Sequence, residues 1–167
     1  GGHMFKDKTP ELYLRWVQFG VFSPIFRLHS TKLPTLARRP WAKPERIFHA
    51  AREIMQLRHA LIPYIYSMAW RAHQTGISLV TPMYYGNSNA SAYEAQDQYF
   101  FGSELVVAPV TTPADPKTGF ASKRVWLPPG AWRGFFTGEQ VAGVRLADSD
   151  VGRREIGQYA RAGERRV

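Results

Sequence analysis

The residues of this chain that could do chemistry are its thirteen acids and five histidines, because it contains no cysteine. Two carboxylates can act as general acid and nucleophile only when their side chains converge on one substrate. The acids are dispersed, and most occupy helix starts or turns, or polar loops such as the one predicted around Asp148 and Asp150. Asp97 and Glu104 flank an apolar segment and could face a cleft, or could be surface acids at strand ends. The residues alone therefore assemble no catalytic pair.

Three of the histidines, His49, His59 and His73, fall in a helical tract without HExxH spacing or a nearby cluster of acids. Helical zinc sites commonly use that spacing, and other sites use cysteines or clustered acids, so no metal site is predicted and these side chains are interpreted as polar residues of a helix surface. The sequence also lacks a Gly-x-Ser-x-Gly elbow, a phosphate loop and a GxGxxG motif. It therefore offers no serine nucleophile of that type and no nucleotide site, and no cofactor is predicted.

One histidine has a different setting. His29 lies where residues 21–28, which are apolar enough to be interior, pass into a polar and basic loop over residues 30–43. Arg27 precedes it by two positions. Polar side chains at such an exit often line a ligand pocket, and an imidazole can form hydrogen bonds with ligand hydroxyls. The alternative, a histidine with a structural role only, remains open on the residues alone.

Composition places the chain among globular proteins. Of its 167 residues 44% are hydrophobic, and no apolar run approaches the roughly 20 residues that a membrane-spanning helix needs. The net charge is +9, but the basic pairs, such as Arg38-Arg39 and Lys123-Arg124, are scattered and are interpreted as a solvated surface. Neither a nucleic acid nor a membrane is therefore predicted as a partner. The absence of cysteine does not determine the compartment, although the cytoplasm is slightly favoured.

The elements that must position these residues begin with a helix. It is predicted to start after Thr9, because a proline and an acid follow that N-cap residue, and to end at Gly20. Leu12, Trp16 and Phe19 share one face of it, which is the predicted apolar face.

Residues 44–75 form the clearest helical tract, with Gly76 as its stop. Pro63 has no backbone N–H, so a kink or two abutting helices are predicted near residues 59–63. Arg58 interrupts the apolar stripe of this tract. The stripe repeats at steps of three and four residues: Ile47, Ala51, Ile54, Leu61, Ile65 and Met68.

After Gly76 the pattern changes to short strand-like segments separated by turn residues, which is typical of a small antiparallel sandwich. Helices first and strands afterwards predict an α+β chain. The predicted strands cover residues 77–85, 104–110, 122–127, 132–136 and 156–160.

Several segments together carry a resemblance to a known family. They include Phe-Ser-Pro-Ile-Phe-Arg-Leu-His-Ser at 22–30 and Gln-Tyr-Phe-Phe-Gly at 98–102. The resemblance is to the C-terminal part of glycoside hydrolase family 31, the α-glucosidase and α-xylosidase family. The segments that resemble it follow the family's order along the chain: residues 11–20, 22–30, 57–66, 81–85, 97–110, 125–132 and 159–163.

The resemblance implies helices from the end of a (β/α)8 barrel followed by a small antiparallel β-sandwich. The residues Gly1-Gly2-His3-Met4 are interpreted as a cloning remnant, residues 1–4. The composition break at Gly76 divides the rest, so that residues 5–76 are a mostly helical part of the barrel and residues 77–167 the sandwich. The resemblance also implies that residues 22–30 are the final barrel strand, and that His29, together with Arg27, contacts the sugar in the −1 subsite.

The family hydrolyses α-glycosidic bonds with retention, using two aspartates that lie upstream of the matched segments. The resemblance therefore implies a part of a retaining α-glycosidase that contains no catalytic residue and is inactive alone. Its expected partners are an α-linked saccharide in the full-length context, and either a second copy or the missing N-terminal part of the parent chain. Apolar side chains of the barrel part, among them Trp16, Phe19, Phe22, Ile25 and Phe26, are predicted to lack partners otherwise.

The alternative function is a stand-alone interaction or carbohydrate-binding module built on the β-sandwich. It requires solvent-facing aromatic residues that could stack on sugar rings. Strand alternation predicts that at least half of the candidates face the core instead. The candidates are Trp126, Trp132, Phe135 and Phe136.

Overall fold

The computed structural model describes residues 9–30, 37–143, 146–151 and 157–161, the last two ranges for the backbone alone. The predicted cloning remnant at residues 1–4 lies outside the described residues. The chain forms two compact units, Gly1–Tyr64 and Ile65–Val167. The predicted boundary at Gly76 stays a prediction.

Helix α1 spans Pro10–Val21 and starts as predicted, because the Thr9 hydroxyl accepts a hydrogen bond of 3.1 Å from the Leu12 N–H. It ends one residue after Gly20. Leu12, Trp16 and Phe19 share the predicted apolar face and are exposed by 37–49%, whereas the helix buries another side. The helix is apolar on two sides, so its periodicity did not identify the buried one. The buried residues are Leu14, Val17, Gln18 and Val21.

The helical tract is divided as predicted. Helix α2 spans Glu45–Ala60 and helix α3 spans Ile62–Thr75, with Leu61 between them and Pro63 in the first turn of α3. Gly76 follows at a φ of 72°, a conformation that glycine adopts without strain. Helix α2 packs against α1, and a short 3-10 helix, Pro40–Ala42, precedes it. Among the described residues no helix has the length and apolarity to cross a membrane.

Residues 22–30 differ from the prediction of a buried strand. They form a turn and an extended segment that belongs to neither sheet, and of these residues only Phe22 is fully buried. Ile25 is 82% exposed. A strand needs a hydrogen-bonding neighbour along its length, and no described strand pairs with this segment. Phe22 was predicted to lack a partner, but its side chain is fully buried, so it is a core residue.

The second unit contains two antiparallel sheets, which confirms the predicted α+β class. The larger sheet has the strand order β1-β2-β3-β8-β5-β6, and the smaller pairs β4 with β7. A short helix, α4, spans Ala90–Glu94 and begins after the N-cap residue Asn89. The strands are β1 Val80–Pro82, β2 Tyr99–Phe101, β3 Leu105–Ala108, β4 Ala121–Trp126, β5 Ala131–Gly134, β6 Gln140–Ala142, β7 Leu146–Val151 and β8 Gly157–Arg161.

Three strands and one helix of this unit were not predicted: β2, β6, β7 and α4. Asp148 and Asp150, predicted in a polar loop, lie in β7 and pair with β4. The composition of β7 is polar, and its pairing with the neighbouring strand, a long-range contact, makes it a strand.

The core of the second unit contains two of the four candidate aromatic residues. Trp126 and Trp132 are 5% and 1% exposed and belong to one apolar cluster with Met83, Phe100 and Leu127. The prediction that at least half of the candidates face the core is therefore confirmed.

Among the polar side chains buried in the described part of this unit are Gln98 and Lys123. Gln98 is 4% exposed and forms two hydrogen bonds of 2.8 Å with the backbone of Trp126, donating to its carbonyl and accepting from its N–H. Lys123 is 9% exposed and pairs with Asp97. Burial lowers the pKa of Lys123. The interpretation of the Lys123-Arg124 pair as solvated was thus wrong for Lys123, because the alternation of β4 turns it inward.

Candidate functional site

The two residues predicted to contact a ligand lie together. Arg27 and His29 are both exposed, and Nη2 of Arg27 is 3.4 Å from Nδ1 of His29. Alternate residues of an extended segment project to the same side, which explains why positions two apart meet. A guanidinium beside an imidazole offers several hydrogen-bond donors and, on the neutral imidazole, one acceptor. This composition suits a ligand with many hydroxyl groups.

The end of this segment is held by Arg38. Its guanidinium Nη1 donates a hydrogen bond of 2.8 Å to the carbonyl of His29, and its backbone N–H donates one of 2.9 Å to the Ser30 hydroxyl. Sequence reasoning missed this role because Arg38 was interpreted as one of a pair of solvated surface charges.

The start of the segment is held by Arg58 of α2. Its Nη1 donates hydrogen bonds of 2.6 Å to the carbonyls of Val21 and Ser23, and its Nη2 donates one of 2.9 Å to the carbonyl of Pro24. Burial lowers the pKa of Arg58. The signal in the sequence was the interruption of an apolar stripe by a charge, but it did not identify the contacts.

The acids with described contacts have structural roles. Glu11 pairs with Arg15 at 3.6 Å one helical turn away, and Asp97 pairs with Lys123. Oδ1 of Asp115 accepts hydrogen bonds from the backbone N–H groups of two residues that follow it, at 2.7 and 3.0 Å, and these bonds lower its pKa. Asp97 and Glu104 are the two acids that could have faced a cleft. Asp97 instead pairs with a cation, and Glu104 is exposed in the turn between β2 and β3.

The three histidines of the helical tract lie on helix surfaces. His49 is 3.5 Å from Glu45, and His59 Nδ1 is 3.0 Å from the carbonyl of Met55. His73 contacts the ring of Trp70. In the part of the chain that the structure describes, no three His, Cys, Asp or Glu side chains converge as metal ligands would.

A cavity of about 420 Å³ lies beside strand β4 in the second unit. Its lining includes Phe120, which is 52% exposed. Asp115, Thr118 and Ser122 also line it. An aromatic residue together with a few polar residues is a common composition of ligand pockets of this size.

Comparisons with known proteins agree with this architecture. A family model described as "Glycosyl hydrolases family 31 TIM-barrel domain" matches residues 1–68, and one described as "Glycosyl hydrolase family 31 C-terminal domain" matches residues 76–164. Among solved structures, a GH31 alpha-xylosidase from a soil metagenome complexed with xylose superposes with a TM-score of 0.82 at 29% identity. The superposition covers 99% of this chain and 26% of that one.

Two curated relatives are also similar to this chain over only a small part of their own length. An alpha-xylosidase of Saccharolobus solfataricus is 33% identical over 155 residues, which are 92% of this chain and 20% of the relative. A 1,6-alpha-glucosyltransferase of Sporosarcina globispora is 33% identical over 149 residues, 86% of this chain and 11% of the relative. The chain thus spans a fifth or less of the length of these relatives.

Proposed function

Because the chain belongs to glycoside hydrolase family 31, we propose that it is the C-terminal part of a retaining α-glycosidase whose sugar site includes His29 and Arg27. In this proposal the helical unit is the end of the (β/α)8 barrel and the sheets form the β-sandwich that follows it. The observation that carries the proposal is the exposed Arg27–His29 pair, whose backbone is held at both ends by arginines.

The proposed reaction divides the chemistry between two parts of the parent enzyme. One aspartate attacks the anomeric carbon and the other protonates the leaving oxygen, and water then hydrolyses the glycosyl-enzyme. None of the acids in this chain matches either aspartate of the family pattern. The chain contributes binding: the imidazole of His29 forms a hydrogen bond with a sugar hydroxyl, and Arg27 orients the imidazole. Hydrogen bonds to such hydroxyls strengthen in the transition state of this reaction.

The partner proposed for the first unit is the remainder of the barrel. The exposed apolar side of α1, formed by Leu12, Trp16 and Phe19, and the 82% exposed Ile25 would be covered by it. Without that partner, a second copy of the chain is expected to cover the same side. Light scattering of the purified chain tests this expectation, and a monomer at high concentration would contradict it.

The reaction is tested in two forms of the protein. The purified chain is expected to show no hydrolysis of p-nitrophenyl α-xyloside or α-glucoside. In a chimera, this chain replaces the corresponding 26% of the soil-metagenome alpha-xylosidase, and hydrolysis is expected to return. His29→Ala in the chimera should lower kcat/KM by roughly 100-fold, whereas His59→Ala, which removes an exposed histidine from α2, should not.

Each outcome of these assays is informative. Turnover by the chain alone would show that its own acids form an active site, and the proposal would be wrong. Equal activity of the His29→Ala and His59→Ala chimeras would remove His29 from the sugar site. Product analysis distinguishes hydrolysis from transfer to a second sugar, the reaction that the name of one relative indicates.

A second candidate function, a carbohydrate-binding module, is supported by the cavity beside β4 rather than by the aromatic residues predicted for it. Two of those residues are in the core, but Phe120 is exposed next to the cavity. Maltose or xylose at millimolar concentration should then shift the NMR signals of the cavity residues, and Phe120→Ala should abolish the shift. Phe136→Ala, at an exposed ring outside the cavity, is the matched control. No response to either sugar would exclude this function.

A further inference from the structure

Arg58 makes three hydrogen bonds to a part of the chain that is 34 to 37 residues away in sequence. All three acceptors are backbone carbonyls: Val21 at the end of α1, then Ser23 and Pro24 in the turn that follows. The last carbonyls of a helix lack partners within the helix, and a cation near that end is favoured by the helix dipole. Arg58 thus donates hydrogen bonds both to the last carbonyl of α1 and to two carbonyls of the turn, and it holds the turn against α2.

The geometry depends on a guanidinium. Its two terminal nitrogens lie in one plane and can donate in different directions at once, whereas a lysine has a single nitrogen on a flexible stem. Nη1 serves two carbonyls and Nη2 serves the third. A lysine at position 58 could therefore neutralise the helix end but could not hold all three carbonyls in this arrangement.

The turn that Arg58 holds determines the direction in which the chain leaves α1. Five residues after Pro24, the extended segment reaches His29, whose carbonyl accepts a hydrogen bond from Arg38. Between these two anchors, the ring of Phe26 lies against Gly20. The segment is therefore fixed at its start, its middle and its end.

We propose that Arg58 is a positioning residue for His29: it sets the path of residues 22–30 and, through this path, the place of the imidazole in the sugar site. The sugar-binding half of this inference rests on the function proposed above. The half that concerns the path of the segment does not.

Hydrogen exchange in the full chain tests the path. Arg58→Ala should raise the exchange rates of the Phe22 and Ser23 amides, which donate to the carbonyls of Phe19 and Gly20, by about ten- to a hundredfold, because the charge-assisted hydrogen bonds that hold this turn are lost. Arg58→Lys should raise them by less. Arg52→Ala, which removes an exposed arginine from the same helix, should leave them unchanged. Unchanged rates in both Arg58 variants would overturn the inference.

A double-mutant cycle in the chimera tests the link to His29. Arg58→Lys, chosen because it retains the charge, should lower kcat/KM about tenfold when His29 is present and should have little effect in the His29→Ala background. Equal losses in both backgrounds would show a general structural role and would overturn the positioning role. If His29→Ala itself has no effect, the proposed function fails, while the exchange rates still decide whether Arg58 sets the path of the segment.

Discussion

The replacement of Gln98 by Leu has an effect that follows directly from the structure. The Gln98 side chain is 4% exposed, and its amide satisfies both the N–H and the carbonyl of Trp126 with bonds of 2.8 Å. Leu is similar in size but leaves both backbone groups without that partner. Each unsatisfied buried group costs about 1–3 kcal/mol, so the free energy of unfolding should fall by about 2–6 kcal/mol.

The assay is urea unfolding followed by tryptophan fluorescence, because Trp126 and Trp132 lie in the core beside Gln98. With an m value of about 2 kcal/mol/M, the midpoint should fall by about 1–3 M. The matched control is Gln96→Leu, since Gln96 is exposed two residues earlier. A Gln98→Leu midpoint equal to that of Gln96→Leu would refute the reasoning.

The pH dependence of the stability of Gln98→Glu gives a second test of the same contacts. A glutamate keeps one acceptor for the Trp126 N–H but directs its second oxygen at the Trp126 carbonyl, which favours the protonated acid. Its pKa in the folded state should therefore rise above the unfolded value of about 4.3. The folded state then binds more protons, so stability should fall as pH rises through this window. Gln96→Glu should lack this fall, and equal pH profiles would contradict the assigned contacts.

Three further predictions concern local contacts. Thr9→Ala should lower stability by about 1 kcal/mol in urea unfolding, because the cap to Leu12 is lost, while Thr9→Ser should not; equal values would contradict the cap. Asp115→Asn should be less stable than the wild type above about pH 4, because the lowered pKa of Asp115 stabilises the fold there. The difference in Tm should disappear as pH falls through that pKa, and a constant difference would refute it. Lys123→Met should change stability by less than about 1.5 kcal/mol, because it fills the same space without a buried charge; Lys123→Ala, which leaves a void, is the comparison in the same urea assay.

The parts of the fold that local chemistry determines were predictable. The cap at Thr9, the break before Pro63 and the stop at Gly76 each depend on one residue and its neighbours. The family itself was also recognisable, since several modest motifs occur in the same order as in its members.

The parts that depend on distant contacts were not predictable. The buried side of α1 depends on which of two apolar faces α2 covers, and β7 is a strand because β4 pairs with it. The residues that hold the candidate site and the core in place also depend on distant contacts. Arg58 and Gln98 bind backbone groups that lie at least 28 residues away, and no local pattern encodes such a pair. Sequence reasoning found Arg27 and His29 but not the residues that hold them.

The contact between Gly20 and Phe26 has a consequence for the evolution of this segment. A methyl group at position 20 would lie 2.5 Å from Cδ2 of Phe26, too close for the ring to keep its place. A larger residue at position 20 is thus compatible with this turn only if the Phe26 ring moves or position 26 becomes smaller. A larger residue at position 20 should therefore occur among relatives together with a smaller one at position 26, and an engineered exchange of Gly20 should be combined with a smaller residue at position 26.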